Sequence, residues 1–388
     1  MDDGNYGKVS FLKILAVGLV GALIGGLVIG VIAIQYINNI DNAIVQNNST
    51  NNSNSGLVES LTIEDDPPTT VEAVAELVTP AVVGITTVEM TQDIFMRQYE
   101  RAGVGSGFIV TDNGYIVTNQ HVVTNNPSKI TVSLKDGRSL EASVVWSDEN
   151  LDLAVIKIDA NNLPVAILGD SDHLSVGEMA IAIGNPLGLT FERTVTSGIV
   201  SGLNRSIAIS QSNIAEDLIQ TDASINSGNS GGPLLDNEGT VIGINTAKVD
   251  SGEGMGFAIP INIVKPIVEQ IIQNGKFTPT LLGISGTDRE FAKYYVGDED
   301  LKLDAGILIM DVQKGSGADV AGLQKGDIIT HIDEVEVNTM LKLREVIYNK
   351  LPGDTVKVKY TRGQKSSTAT VKLMGQEEIS RLSNSIKN

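Results

Sequence analysis

The 388-residue chain contains no cysteine, only 4% aromatic residues and 28 lysines and arginines against 47 acidic residues. Each shortage excludes something. Without cysteine there is no disulfide, no thiolate nucleophile and no Cys-based zinc site. Without aromatics in quantity, cores must be built mainly from Val, Ile, Leu and Ala. The net charge of −19 removes the basic footprint that nucleic-acid binding needs, so no such partner is expected. The surplus is uneven: −5 over residues 1–70, −13 over 71–280 and −1 over 281–388. It reads most simply as a solubility feature.

What is present divides the chain into segments. The length predicts two or three domains of about 100–200 residues. Residues 1–10 form a short polar tail. From Phe11 to Ile34 the sequence is apolar except for Lys13. At about 1.5 Å per residue the run reaches roughly 36 Å, enough for a hydrocarbon core of about 30 Å. A secretory signal would have a shorter apolar stretch of about 7–15 residues and a small-residue cleavage site. A membrane anchor over 11–34 is therefore expected. Lys8 and Lys13 lie at or before its start and the next basic residue is Arg97, which predicts a cytoplasmic amino end and an extracytoplasmic body. Residues 35–70 carry Asn- and Ser-rich stretches and no repeating apolar face, as in a flexible tether.

From Val71 the pattern becomes short apolar runs separated by turns such as Asp112-Asn113-Gly114 and Asp136-Gly137. Candidate strands include residues 81–88, 107–110, 115–117, 130–134, 143–145, 153–156 and 179–183, with helices at 71–78 and 263–272. Regular short strands without intervening helices indicate a sandwich or barrel, and about 200 residues suffice for two small barrels. The character changes again after Lys276-Phe-Thr-Pro279. There, a second set of strands carries a helix at 340–350 and a final strand at 355–360, followed by a tail over 375–388.

One turn stands out. Gly228, Gly231 and Gly232 surround Ser230 between apolar β-type runs. Such glycine density marks positive φ or close backbone approach. It presents either a structural serine in a hairpin or a nucleophile beside oxyanion donors. Only three histidines exist to serve as its base: His121, His173 and His331. His173 lies in a polar turn and His331 follows an alternating strand, so structural roles are expected for both. His121 follows the strand Tyr115-Ile-Val117. Asp152, between Leu151 and Leu153, is a carboxylate placed for burial and in need of a hydrogen-bonded partner. The order His121, Asp152, Ser230 is that of chymotrypsin-like enzymes rather than subtilisins or α/β-hydrolases.

Six motifs in order then carry a resemblance. Thr118-Asn-Gln-His-Val-Val123, Asp152-Leu-Ala-Val-Ile156, Gly184-Asn-Pro-Leu-Gly188, Thr194-Val-Thr-Ser-Gly-Ile-Val200, Gly228-Asn-Ser-Gly-Gly-Pro-Leu234 and Gly243-Ile-Asn-Thr-Ala247 resemble those of HtrA-type (HtrA/Deg) serine proteases, which are trypsin-like enzymes fused to PDZ domains. Gly315 to Asp333 resembles the PDZ hallmark. The resemblance implies a mostly β chain: a chymotrypsin-like double β-barrel over 71–276 and one PDZ domain over 280–374. It implies Ser230 as nucleophile, His121 as base and Asp152 as its orienter, with an oxyanion hole from Gly228, Asn229 and Ser230. The pocket floor would be Ser224, flanked by Ile225 and Lys248. With no aspartate at 224, cleavage after small or medium apolar residues is expected, not after Lys or Arg. Asn229 replaces the aspartate that digestive relatives pair with a newly cut amino terminus, so activation by propeptide removal is not expected. Leu282, Gly283 and Ile284 would cradle a peptide carboxylate, with Leu341, Leu343 and Val346 as candidates for either the groove or the core. The resemblance further implies misfolded or exposed polypeptides as substrates and a homotrimer. No metal or cofactor is expected.

Overall fold

The computed structural model describes residues 68–92, 96–185, 194–210, 213–246, 254–288, 291–292 and 305–386. The expected anchor over 11–34, nearly all of the tether and Lys248 lie outside these residues. Among the described residues no helix is long and apolar enough to cross a membrane.

The described chain opens with α1 (Thr70–Val78), started by a reciprocal cap. The Thr69 hydroxyl accepts the Glu72 N–H and the Glu72 carboxylate accepts the Thr69 N–H, both at 3.3 Å. Val74 and Val78 face inward, and Pro80 prevents the helix from continuing. Six antiparallel strands follow: β1 (Val82–Gln92), β2 (Gln98–Ile109), β3 (Tyr115–Thr118), β4 (Pro127–Ser133), β5 (Ser139–Asp148) and β6 (Leu153–Ile158). They close into a barrel in the order β1-β2-β3-β6-β5-β4, with the single-turn helix α2 (Gln120–Val123) leaving β3. A second closed barrel has the order β10-β11-β12-β9-β8-β7. Its strands are β7 (Met179–Gly184), β8 (Thr194–Ser210), β9 (Asn213–Thr221), β10 (Pro233–Leu235), β11 (Val241–Thr246) and β12 (Gly256–Pro260).

The facing strands are apolar throughout because both of their sides are covered. In β6, Ala154 and Ile156 point into the first barrel while Leu153 and Val155 join the core between barrels. In β7, Ala180 and Ala182 point into the second barrel while Ile181 and Ile183 meet the first. With a side-chain period of two, each continuous apolar run serves two cores at once.

Helix α3 (Val264–Asn274) closes the protease part and ends at Gly275, which takes the left-handed cap at φ +73°. The carboxy-terminal domain contains β13 (Thr280–Leu281), β14 (Ile284–Thr287), β15 (Ile307–Val312), α4 (Gly317–Val320), β16 (Ile328–Ile332) and β17 (Val335–Glu336). It continues with α5 (Met340–Tyr348), β18 (Thr355–Arg362), β19 (Lys365–Lys372), β20 (Met374–Gly375) and α6 (Gln376–Ile386). Its main sheet runs β14-β15-β16-β18-β19, and β13 pairs with β20.

The expected carboxy-terminal tail thus contains a helix. Ile379 and Leu382, one turn apart on α6, are its apolar anchors, and Leu382 lies beside Gly315. The pattern is too short and too polar to stand out in sequence, because a helix of this length is held by packing rather than by propensity.

Candidate active site

Three elements bring the candidate residues together. His121 is the second residue of α2, directly after the β3 end of the first barrel. Asp152 enters β6 at φ +52°, a conformation that aspartate tolerates better than most residues. Ser230 caps the glycine turn before β10 of the second barrel. Ser230 Oγ lies 2.8 Å from His121 Nε2. His121 Nδ1 lies 2.9 Å from both Asp152 carboxylate oxygens. The Asp152 side chain is only 7% exposed, against 31% for His121. Its charge is fully engaged: the His121 backbone N–H donates to Oδ1 at 3.1 Å and the Thr246 hydroxyl donates to Oδ2 at 3.0 Å. A hydroxyl, an imidazole and a carboxylate in series are the parts of acyl transfer by a serine. His173 pairs with Asp170 on the surface and His331 contacts Thr330, so neither joins the site.

Comparison with known proteins gives the same reading. The trypsin-like peptidase domain family matches residues 105–244 and the PDZ domain family matches residues 280–373. The serine protease Do-like HtrA of Bacillus subtilis is 42% identical over 325 residues, covering 78% of this chain and 72% of its own length. The chain belongs to the HtrA family of serine proteases. The Do-like HtrB of the same organism is 37% identical over 402 residues, with 96% and 84% covered. A solved HtrA-type protease, AlgW with a tripeptide, superimposes with a TM-score of 0.60 at 35% identity, covering 80% of this chain and 98% of the other. The protein is a serine endopeptidase of HtrA type.

In this HtrA protease the turn that carries Ser230 is built almost wholly from neutral hydrogen bonds. Asn229 takes the place of a charged latch. Its Oδ1 accepts the Asn226 N–H at 2.8 Å and its Nδ2 donates to the Ser224 carbonyl at 2.9 Å. Ser106, fully buried on β2, ties the turn to the first barrel. Its hydroxyl donates to the Gly228 carbonyl and accepts the Asn185 N–H, each at 2.7 Å, while its backbone N–H donates to the Ser230 carbonyl at 2.8 Å. Gly231 sits at φ +82°, where a Cβ would collide with the Ser106 carbonyl and the Thr118 hydroxyl. Gly184 lies so close to Asn229 that a side chain there would displace it. Ser106 went unnoticed in sequence because a serine in a strand carries no local signal.

Of the expected oxyanion donors, the Ser230 N–H is already engaged. The Asn229 N–H and the Ser230 N–H both donate to the Asn226 carbonyl, at 3.0 and 3.2 Å. The turn is wound as one helical turn, with the Ser230 N–H bonded inside it. Ser224 and Ile225 begin this turn, and Ile225 lies against Gly256.

In the PDZ part, a groove of about 260 Å³ is lined by Leu282, Gly283, Ile284, Leu343 and Ile347 together with Ile379 of α6. Leu343 thus faces the groove. Leu341 instead faces a cleft behind Asp152 that also contains Glu216 and Arg344, and Val346 packs on the core. Ile379 is a groove residue that sequence reading assigned to a tail.

The junction between the second barrel and α5 is crowded with charge. Thr339 donates to Asp217, Lys342 reaches Asp172 and, at 2.8 Å, Glu345, and Arg344 lies 3.7 Å from Glu216. Burial raises the Asp217 pKa to about 6, with the Thr339 hydrogen bond opposing it. Burial likewise raises Glu216 and Glu345, with Arg344 and Lys342 opposing. The Asn262 amide, despite partial burial, holds Asp170 down at about 2.

Proposed function

We propose that this chain is a membrane-anchored extracytoplasmic endopeptidase that cuts misfolded or exposed polypeptide after small or medium apolar residues. The observation that carries the catalytic part is the unbroken series Ser230 Oγ, His121 Nε2, His121 Nδ1 and Asp152, with 2.8 and 2.9 Å separations. Ser230 Oγ attacks the peptide carbonyl carbon as its proton passes to His121 Nε2. Asp152 holds the ring tautomer and balances the imidazolium. The C–N bond then breaks, the proton goes to the leaving amine, and water attacks the acyl-enzyme with His121 again as base.

The resting turn must open for this. The Ser230 N–H has to leave the Asn226 carbonyl, and the Gly228 N–H has to join it at the developing oxyanion, where one donor contributes about 10²–10³ in rate. Asn229 supplies no charged anchor for the open form, so ordering by bound peptide is the expected control. Leu282, Gly283 and Ile284 would receive a peptide carboxylate. The resemblance supports a homotrimer, and the relatives of Chlamydia and Rickettsia are described as periplasmic endoproteases. Lys248 is assigned to the rim of the specificity pocket. Regulatory cleavage of one signalling protein, or a chaperone or PDZ scaffold role, is the alternative.

Labelling of the full-length chain with a fluorophosphonate, with and without a peptide that carries a free carboxy-terminal carboxylate to fill the PDZ groove, tests the proposal. Ser230 should be modified, and faster in the presence of peptide. Absence of an adduct in the stimulated protein would end the catalytic reading. Comparing membranes that contain active protein or Ser230→Ala separates the roles: one accumulating substrate supports the regulatory alternative, many support quality control.

A further inference from the structure

Two acceptors, not one, face the Ser230 hydroxyl. Besides His121 Nε2 at 2.8 Å, the Asn119 side-chain oxygen lies 3.1 Å from Ser230 Oγ. Asn119 is fully buried at the end of β3. Its orientation follows from its other bond: Nδ2 donates to the Asp152 carbonyl at 3.0 Å, which leaves Oδ1 turned toward the serine. One side chain therefore braces the backbone of Asp152 and touches the nucleophile.

A hydroxyl has one proton, so it satisfies one of these acceptors at a time. When His121 is neutral, Ser230 donates to Nε2, the arrangement needed for attack. When His121 takes a second proton, Nε2 becomes a donor and the serine hydroxyl must turn elsewhere. We propose that Asn119 is a catalytic residue whose Oδ1 accepts the hydrogen bond of the Ser230 hydroxyl in that state, completing a chain from His121 Nε2–H to Ser230 Oγ and from Ser230 O–H to Asn119 Oδ1. The assignment rests on the reading of Ser230 and His121 as nucleophile and base. No proton is lost or gained within the chain; the hydroxyl rotates as the ring changes from acceptor to donor.

The consequence is a linkage. Asn119 Oδ1 stabilises the protonated pair more than the neutral pair, so it moves the acid limb of activity upward in pH. The charged neighbours leave this contact distinct. Asp152 meets the opposite ring nitrogen. Asp148 accepts the N–H groups of Asn150 and Leu151, Glu149 accepts from Asn125, and Glu216 faces Arg344 across the cleft behind Asp152.

The test measures the second-order rate of fluorophosphonate labelling of the full-length chain across pH. Asn119→Leu, nearly isosteric, and Asn119→Ala remove the acceptor, and both should move the acid limb to lower pH by about 0.5–1 unit. Asn119→Asp keeps an acceptor and should leave the limb at or above that of the parent. A limb that stays in place in a folded Leu or Ala variant, with only the plateau reduced, would show that Asn119 merely braces Asp152 and overturns the proposal. So would an Asp variant that moves downward with the other two. Thermal unfolding identifies the folded variants, and the isosteric leucine keeps the test available if alanine unfolds. A parent that never labels at Ser230 sinks the triad reading itself, whereas a labelled parent with an unmoved limb sinks only Asn119.

Discussion

The turn that carries Ser230 is buried and the junction that carries the PDZ domain is half-buried; both are polar, and they are built in opposite ways. The turn uses neutral groups: Ser106, Thr118, Asn119, Asn226 and Asn229 satisfy one another over distances of 2.6–3.2 Å. The junction uses charge: Asp172, Glu216, Asp217 and Glu345 against Lys342 and Arg344. There, Asp217 Oδ1 and Glu216 Oε2 meet no hydrogen-bond donor among the described residues. Neutral networks contain no titrating group of their own, so their contribution to stability does not vary with pH and is lost only when a member is removed, whereas crowded carboxylates carry a desolvation cost that changes with protonation. The enzyme keeps its chemistry on the first kind of structure and attaches its peptide-binding domain through the second.

The largest effect should come from the turn. Ser230→Ala should lower kcat/KM on an unstructured polypeptide by about 10⁵–10⁶-fold, as loss of a serine nucleophile does elsewhere, with Tm nearly unchanged. Next, Gly231→Ala combines φ +82° with a collision against Ser106 and Thr118. It should cost at least about 3 kcal/mol and most of the activity, read by thermal unfolding alongside the labelling rate. Ser106→Ala leaves room but removes two side-chain hydrogen bonds, so a fall of about 10–100-fold in kcat with a smaller change in KM is expected. A stable and fully active Gly231→Ala or Ser106→Ala enzyme would erase the distinction between the two regions.

The junction should respond to pH instead. Asp217 has its folded pKa raised from 3.8 to about 6, so the folded state holds its proton longer than the unfolded chain. Stability from this group is greatest below pH 4, falls as pH rises toward 6 and stays low above it. Asp217→Asn should therefore stabilise the protein at pH 7.5, by about 1–3 kcal/mol, and hardly at all at pH 4. Equal Tm shifts at the two values would contradict the assignment. The smallest effect concerns α6: Ile379→Ala should change the Kd for a peptide carboxyl terminus by about 2–10-fold through lost apolar contact in the groove, measured by fluorescence anisotropy. No change would place Ile379 outside the ligand's reach.

Much of the fold was legible before any coordinates. Strands such as Leu153–Ile158 and Met179–Gly184 announce themselves as β-branched runs between turn residues. Gly275 marks the end of α3, and Met340 opens α5 as expected. Most boundaries moved by a few residues, but the strand expected at 107–110 begins at Gln98. The site was legible where chemistry limits the choice of residue: three histidines and one glycine-rich serine left few combinations. It was not legible at Ser106 or Asn119, because their roles depend on neighbours far away in sequence. Ser106 meets Gly228 across 122 positions and Ser230 meets Asn119 across 111. Leu341 and Leu343 show the same limit at close range. Both are apolar residues of one helix two positions apart, and only packing decided that one faces Asp152 while the other faces the peptide groove.

The sequence by itself determined the class of enzyme, the order of its catalytic residues and the succession of two β-barrels and a PDZ domain. The order of the residues depends on residue type, the short strands on local period, and the enzyme class and domain succession on six motifs that resemble those of a known family. The tertiary structure alone decided that the Ser230 N–H is bonded to Asn226, that the PDZ helix meets the protease through half-buried and exposed carboxylates, and that α6 lines the groove. Each of these depends on which backbone group or side chain approaches which, and residue type alone does not fix that.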